Sequence, residues 1–203
     1  MTEMGDQCAI IVLAAGASSR LGKPKQTLLF KQSTLLEHSI HEALNAVAAH
    51  VIVVLGADAA AIQPSIQNTK LSFAVNEYWQ EGIASSIRCG LEYLLTKQSS
   101  IQAILLMVCD QPYINTALLD KLVTLQAETG VDIVASSYGD TKGIPAVFGK
   151  QLFPELLKLK GDTGAKKIIM NHAGSLAVID FPLGAIDIDT QEDYISIQKK
   201  EKN

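Results

Sequence analysis

The run Cys8-Ala9-Ile10-Ile11-Val12-Leu13 constrains this chain more than any other segment, because six successive apolar residues leave no side of a strand suited to water. Ala14, Ala15 and Gly16 follow at once, so the strand ends in a tight turn of small residues. Such a strand needs cover on both faces, which helices packed on each side of a sheet provide. The same profile recurs at Val51–Leu55, stopped by Gly56, and at Ala103–Val108; Leu71–Val75 and Asp132–Ser136 read as further strands. Helical periodicity separates them. Over Thr34–Ala49, Leu35, Leu36, Ile40, Ala43, Leu44 and Val47 share one stripe, with Thr34 and Glu37 spaced as a capping box. Ile83–Leu95 also reads as helix. Asn115 caps a helix bearing Leu118, Leu119, Leu122, Val123 and Leu125, and Gly130 ends it in the left-handed region.

The remainder is less regular. A polar turn over Ser137–Gly143 precedes an apolar stretch, Ile144–Phe148, and two short helical segments over Lys150–Leu159 and Asp162–Asn171. Leu176–Phe181 and Ala185–Ile188 read as strands, and Thr190 with Asp193 forms a second capping box that opens a terminal helix. Strands alternating with helices predict a three-layer αβα, Rossmann-like sandwich around a mainly parallel, mixed sheet. The 203 residues contain no repeat, low-complexity tract or linker, which predicts one domain over 1–203.

Composition narrows the function. Hydrophobic residues make up 48% and charged residues 19%, which excludes a fully disordered chain. The net charge of −4, with no dense basic patch, argues against nucleic acid or an anionic membrane as the main partner and for a small ligand. No apolar run approaches the about 20 residues of a membrane span, and Met1–Gln7 is too polar for a secretory signal, so a cytoplasmic protein is expected. Cys8, Cys89 and Cys109 are odd in number and lie in or beside apolar segments, as reduced core thiols do.

Ligands of parallel sheets gather beyond the carboxyl ends of the strands, so the loops there carry the chemistry. Leu13 to Lys25 contains two glycines, two serines and the cations Arg20, Lys23 and Lys25. Small residues let backbone N–H groups approach an anion, and Arg20 and Lys25 can neutralise phosphate oxygens. The spacing is neither G-x-G-x-x-G nor G-x-x-x-x-G-K-[ST], which speaks against a nicotinamide oxidoreductase and a Walker loop. Asp110 ends a buried strand before Pro112, and Asp187 and Asp189 precede the last helix; Asp189 is the one expected to face inward because Thr190 serves as the cap. A cationic loop opposed by carboxylates from two strand ends suits metal-assisted nucleotidyl transfer. The chemistry needs no general base, because a phosphate nucleophile is already ionised, so His38, His41, His50 and His172 are read as structural or solvent-facing.

The loop resembles the L-x-x-G-x-x-x-R-x-G-x-x-K signature of nucleotidyltransferases with the nucleotide-diphospho-sugar transferase fold. Asn76–Leu91 looks like the base-reading segment of that family and Asp110-Gln111-Pro112 like its metal-bearing strand end. Gly143–Phe148 and Gly161–Ala165 look like its acceptor-side loops, and Asp187–Asp193 like its closing element. Together they are similar to the molybdenum cofactor cytidylyltransferase branch over Ile10–Tyr194, although Lys166 stands where that branch commonly has Arg. The resemblance implies transfer of CMP from CTP to molybdopterin with release of pyrophosphate. It implies nucleotide binding by Leu13, Ala14, Ala15, Gly16, Arg20, Lys25, Gly82, Ser86 and Asp110, catalysis by Lys25 and Arg20, and Mg²⁺ on Asp110 and Asp189. Ala15 favours cytosine, since guanylyl-transferring relatives usually have glycine there. A molybdoenzyme or its maturation factor would be the partner. Guanylyl transfer, another phosphorylated acceptor, and a non-catalytic cofactor carrier are the alternatives.

Overall fold

The computed structural model describes residues 7–201 apart from 49, 67, 69 and 99. The expected signal-free segment Met1–Gln7 therefore lies, but for its last residue, outside the described residues, as does Ala49. In chain order the strands are β1 (Cys8–Ala14), β2 (Leu29–Phe30), β3 (Ser33–Thr34), β4 (His50–Leu55), β5 (Leu71–Val75), β6 (Ala103–Val108), β7 (Ile133–Tyr138), β8 (Thr141–Gly149) and β9 (Leu176–Asp180). The helices are α1 (Leu35–Asn45), α2 (Ala59–Ile62), α3 (Ile83–Lys97), α4 (Thr116–Thr129), α5 (Phe153–Leu156), α6 (Lys166–Asn171) and α7 (Gln191–Lys200).

Seven strands form one sheet in the order β5-β4-β1-β6-β8-β7-β9, and β2 and β3 form a separate small hairpin. β1 lies near the middle with every residue buried, as its unbroken apolar run requires. It pairs in parallel with β4 and β6, so Leu13 stands level with Val54 and Val108 at the ends of both neighbours. Alternate β1 residues feed opposite layers. Ile11 and Leu13 pack with Ile87, Leu91 and Leu94 of α3. Ile10 and Val12 pack with Leu36 and Ile40 of α1 and Leu119 and Leu122 of α4. Gly90 lets α3 approach the sheet closely, because a Cβ there would lie 2.7 Å from Ile11 Cγ2 and 2.8 Å from Val54 Cγ2. This is the three-layer αβα, mainly parallel mixed sheet that the alternation predicts.

The sheet departs from parallel at β8, which runs antiparallel between β6 and β7. A third, smaller core gathers Leu21, Leu28, Phe30 and Leu35 with Ile188, Tyr194 and Ile197. It fastens the loop after β1 to the segment that enters α7.

Several boundaries differ from the sequence reading. α1 stops at Asn45, and Val47 lies beyond it, half exposed, with its N–H bonded to Asp120 Oδ1 at 2.8 Å. Most of the expected turn over 137–143 is strand, because β7 and β8 hairpin tightly with Tyr138 opposite Thr141. Helix over 150–159 shrinks to a 3₁₀ turn at Lys150–Leu152 plus α5. Gly161 (φ 64°) and Gly164 (φ 56°) hold residues 161–164 out of the helical region, leaving only α6. Ala185–Ile188 is not a strand: Pro182–Ala185 makes a 3₁₀ turn. Ile188 instead bonds Asp110 once, N–H to C=O at 3.0 Å.

Candidate active site

The loop after β1 is shaped by residues with demanding roles. Ser18 occupies the left-handed region (φ 53°); its C=O accepts from Leu21 N–H at 2.9 Å and its Oγ accepts from Lys25 N–H at 2.9 Å. Gln26 lies buried beneath and donates from Nε2 to the C=O of Ala14 at 2.7 Å and of Gly16 at 3.0 Å. Its Oε1 is buried without a partner among the described residues. These contacts fix where Lys25 starts and which way it points.

Lys25 Nζ donates to Asp110 Oδ2 at 2.7 Å and to Asp189 Oδ1 at 2.8 Å, and Arg20 Nη2 donates to Asp189 Oδ2 at 2.9 Å. The four charged residues singled out from the sequence thus form one network. Thr190 and Asp193 satisfy the capping box of α7, as expected, which leaves the Asp189 carboxylate free to turn toward the loop. The Ile188–Asp110 backbone bond and the burial of Ile188 in the third core hold the two acid-bearing segments together. Burial pulls the Lys25 ammonium's pKa down, but Asp110 and Asp189 more than offset this, so the ammonium is held charged. The Lys25 hydrogen bond holds the Asp189 carboxyl below its usual range.

A cavity of about 370 Å³ opens beside this network. Leu13, Ala14, Ala15 and Gly16 line it together with Gly82 and Ser86 and with the ion-paired Lys25 and Asp110. All eight of these predicted residues therefore border one space. Arg20 and Asp189 do not line it; Arg20 is largely exposed, and the pair sits beside the cavity through Lys25. Sequence reasoning passed over Gln26, included Gln80 and Asp162 only within the expected base-reading and acceptor-side segments, and left Trp79 open between packing and binding; all four border the cavity. Gln26 follows Lys25 directly, and nothing in its polar neighbours Lys25 and Thr27 marks it as the buried residue of the loop.

Gly82 is required for geometry. It has φ 97°, and a Cβ there would collide with Asp162 Oδ1 and lie 2.7 Å from the Gly161 carbonyl carbon. Gly161 C=O in turn accepts from Ala84 N–H at 3.1 Å, joining the 161–165 loop to the start of α3. Arg88 of α3 donates to Leu159 C=O and to Glu81, at 2.8 Å for the latter, bracing the same junction.

Among the described residues no cluster of three or more His, Cys, Asp or Glu side chains is placed to hold a metal. The donor set is the carboxylate pair Asp110 and Asp189, both within hydrogen-bond reach of one cation position, Lys25 Nζ. Two carboxylates suit a Mg²⁺ or Mn²⁺ ion, which retains waters and takes its remaining oxygens from substrate phosphates. Cys109, beside Asp110, is not a ligand candidate, since burial pushes its thiol up to about 12. No helix among the described residues is long and apolar enough to cross a membrane.

The chain is 28% identical to "Nicotine blue oxidoreductase" of Paenarthrobacter nicotinovorans, covering 93% of this chain and 92% of that one. It is also 28% identical to "Purine catabolism protein PucB" of Bacillus subtilis, covering 93% and 95%. A third relative, "Probable molybdenum cofactor guanylyltransferase" of Bacillus mycoides, is 22% identical over 97% and 98%. Among solved structures, Rv0371c of Mycobacterium tuberculosis superposes with a TM-score of 0.83 at 29% identity, covering 96% and 99%, and a complex of Rv0371c with manganese gives 0.79 at 27% over 95% and 98%. Residues 10–176 match the profile of the MobA-like NTP transferase domain, and the chain belongs to that family.

Proposed function

We propose that this chain, acting as one nucleotidyltransferase domain, moves CMP from CTP to the terminal phosphate of molybdopterin and releases pyrophosphate. The observation that carries the reading is the convergence of Lys25, Arg20, Asp110 and Asp189 beside a cavity walled by the small residues after β1. The acceptor phosphate attacks the α-phosphorus, and negative charge grows on its equatorial oxygens and on the departing pyrophosphate. Lys25 stabilises that charge at the α-phosphate, while Arg20 and the loop amides hold the β- and γ-phosphates. Asp110 and Asp189 would hold Mg²⁺, which when bound would supply positive charge to offset that on the phosphates. Gly82 and Ser86 receive the base, and Ala15 narrows the wall in favour of cytosine.

The molybdopterin acceptor is supported by the Bacillus mycoides relative's name, and a divalent metal by the manganese complex of Rv0371c. The same relative's name favours a second reading, transfer of GMP from GTP. Three free cysteines fit a reducing cytoplasm, and a molybdoenzyme or its maturation factor would take the product. The test is incubation with each nucleoside triphosphate, Mg²⁺ and purified molybdenum cofactor, with mass detection of the dinucleotide and assay of pyrophosphate. A cytosine dinucleotide supports the first reading and a guanine dinucleotide the second. Cofactor binding with no pyrophosphate marks a carrier, and absence of binding to any nucleoside triphosphate overturns the enzyme class.

A further inference from the structure

Behind the cavity wall lies a chain of hydrogen bonds whose directions are all forced. Asn76, just past β5, is 3% exposed, and its Oδ1 accepts from Tyr78 N–H at 2.9 Å. A backbone N–H can only donate, so this contact fixes the orientation of the amide. Nδ2 must then face α3, where it donates to Ser85 Oγ at 2.8 Å and Ser86 Oγ at 3.0 Å. The Ser85 hydroxyl donates to Gly82 C=O at 2.8 Å. That carbonyl also accepts from Ser85 N–H at 3.1 Å, so both of its lone pairs are in use. Ser86 accepts from Asn76 and, among the described residues, has no protein acceptor for its own proton. It is buried, yet it borders the cavity.

The geometry points to Asn76 as the positioning residue for the Ser86 hydroxyl: its Nδ2 takes one hydroxyl lone pair and leaves the O–H, which has no protein acceptor among the described residues, to bond a ligand in the cavity that Ser86 borders. Ser86 therefore favours a base that presents a carbonyl oxygen or an unprotonated ring nitrogen at that point, the acceptor its proton lacks within the protein. This assignment rests on the nucleotide reading above. It names the atom type read by this wall, and Asn76, outside the cavity, as the residue that sets the rule. In Asn76→Asp the side chain can only accept, so it keeps Tyr78 N–H and draws the Ser86 proton away from the cavity. A buried polar contact left unmet costs roughly tenfold in affinity.

The test is titration of CTP and GTP with Mg²⁺ into the full chain, its Ser86→Ala, Ser86→Thr and Asn76→Asp variants, and the Asn76→Asp, Ser86→Ala double variant. Ser86→Ala and Asn76→Asp are each expected to weaken the better-bound nucleotide about tenfold, while Ser86→Thr, which keeps the hydroxyl, stays near wild type. In the Asn76→Asp background, removing the Ser86 hydroxyl should cost nothing more, because Asn76 acts through it. Additive losses would show Asn76 to be merely structural and would overturn the assignment. If Asn76→Asp does not fold, the Ser86 pair decides: equal binding by Ser86→Ala and wild type overturns it. A wild-type chain that binds no nucleoside triphosphate overturns the nucleotide reading and this assignment together, whereas tight wild-type binding with indifferent variants overturns this assignment alone.

Discussion

Lys25 and Asp110 lie 85 positions apart in the chain and meet at 2.7 Å, with 13% and 22% of their side chains exposed. Asp189 reaches the same ammonium at 2.8 Å, so one lysine bridges two carboxylates, and Arg20 supplies the second positive charge at Asp189. Lys25→Met should therefore do two things. Turnover should fall at least about 100-fold, as loss of a preorganised charge on a transition state does. Affinity for Mn²⁺ without nucleotide should rise, by roughly tenfold, because the two acids lose the cation they share and only Arg20 remains, on Asp189. Calorimetric titration of Mn²⁺ reads the second effect independently of turnover; unchanged Mn²⁺ affinity would argue against Asp110 and Asp189 as a metal pair.

Asp110→Asn should abolish most metal-dependent activity with a Tm within about 4 °C of wild type, since Lys25 keeps Asp189 as a partner. A collapse of the melting transition would make Asp110 a structural residue.

Gly82→Ala should destabilise by about 1–3 kcal/mol through its positive φ and its collision with the 161–162 backbone and side chain. Nucleotide affinity should fall with it, because both sides of the junction line or brace the cavity. Gly130→Ala is the comparison: φ is 66° at the end of α4, nothing lies near its Cβ, and binding should persist. Thermal melts paired with nucleotide titrations separate the two.

Stability should also depend on His38. Burial lowers its pKa, although Glu42 opposes the shift, and its Nε2 lies 3.0 Å from Pro112 C=O. The folded state thus disfavours the imidazolium, whereas the unfolded chain protonates at about pH 6.5. The stabilisation is complete above that pH and is lost as pH falls toward the depressed folded value. Urea melts between pH 7.5 and 5 should show the decline, and His38→Gln should flatten the part due to this residue.

The pattern of strands was legible because buried strands and amphipathic helices impose periods of their own. β1, β5 and β6 emerge within a residue of their expected bounds, and the caps at Thr34, Asn115 and Thr190 all form. Antiparallel β8 was legible as an apolar stretch but not as a reversed strand, since a strand buried on both faces has the same composition in either direction. The segment 150–165 misled because helical periodicity there competes with Gly161 and Gly164, whose backbone angles only tertiary contacts reveal. Within the site, the charged residues announced themselves by type and place. Asn76 and Gln26 did not, because their roles lie in the direction of hydrogen bonds that form only after folding.

The glutamine beneath the first loop has a practical corollary for anyone reshaping this cleft. Because Gln26 draws two carbonyls inward, it sets the curvature of the rim from below, and the rim turns fewer lone pairs toward an anionic guest. Ala17 and Ser19 are then the natural places for a diversified library, since Ser18 holds Lys25, whereas glutamate in place of Gln26 would set acceptor against acceptor and pry the rim open.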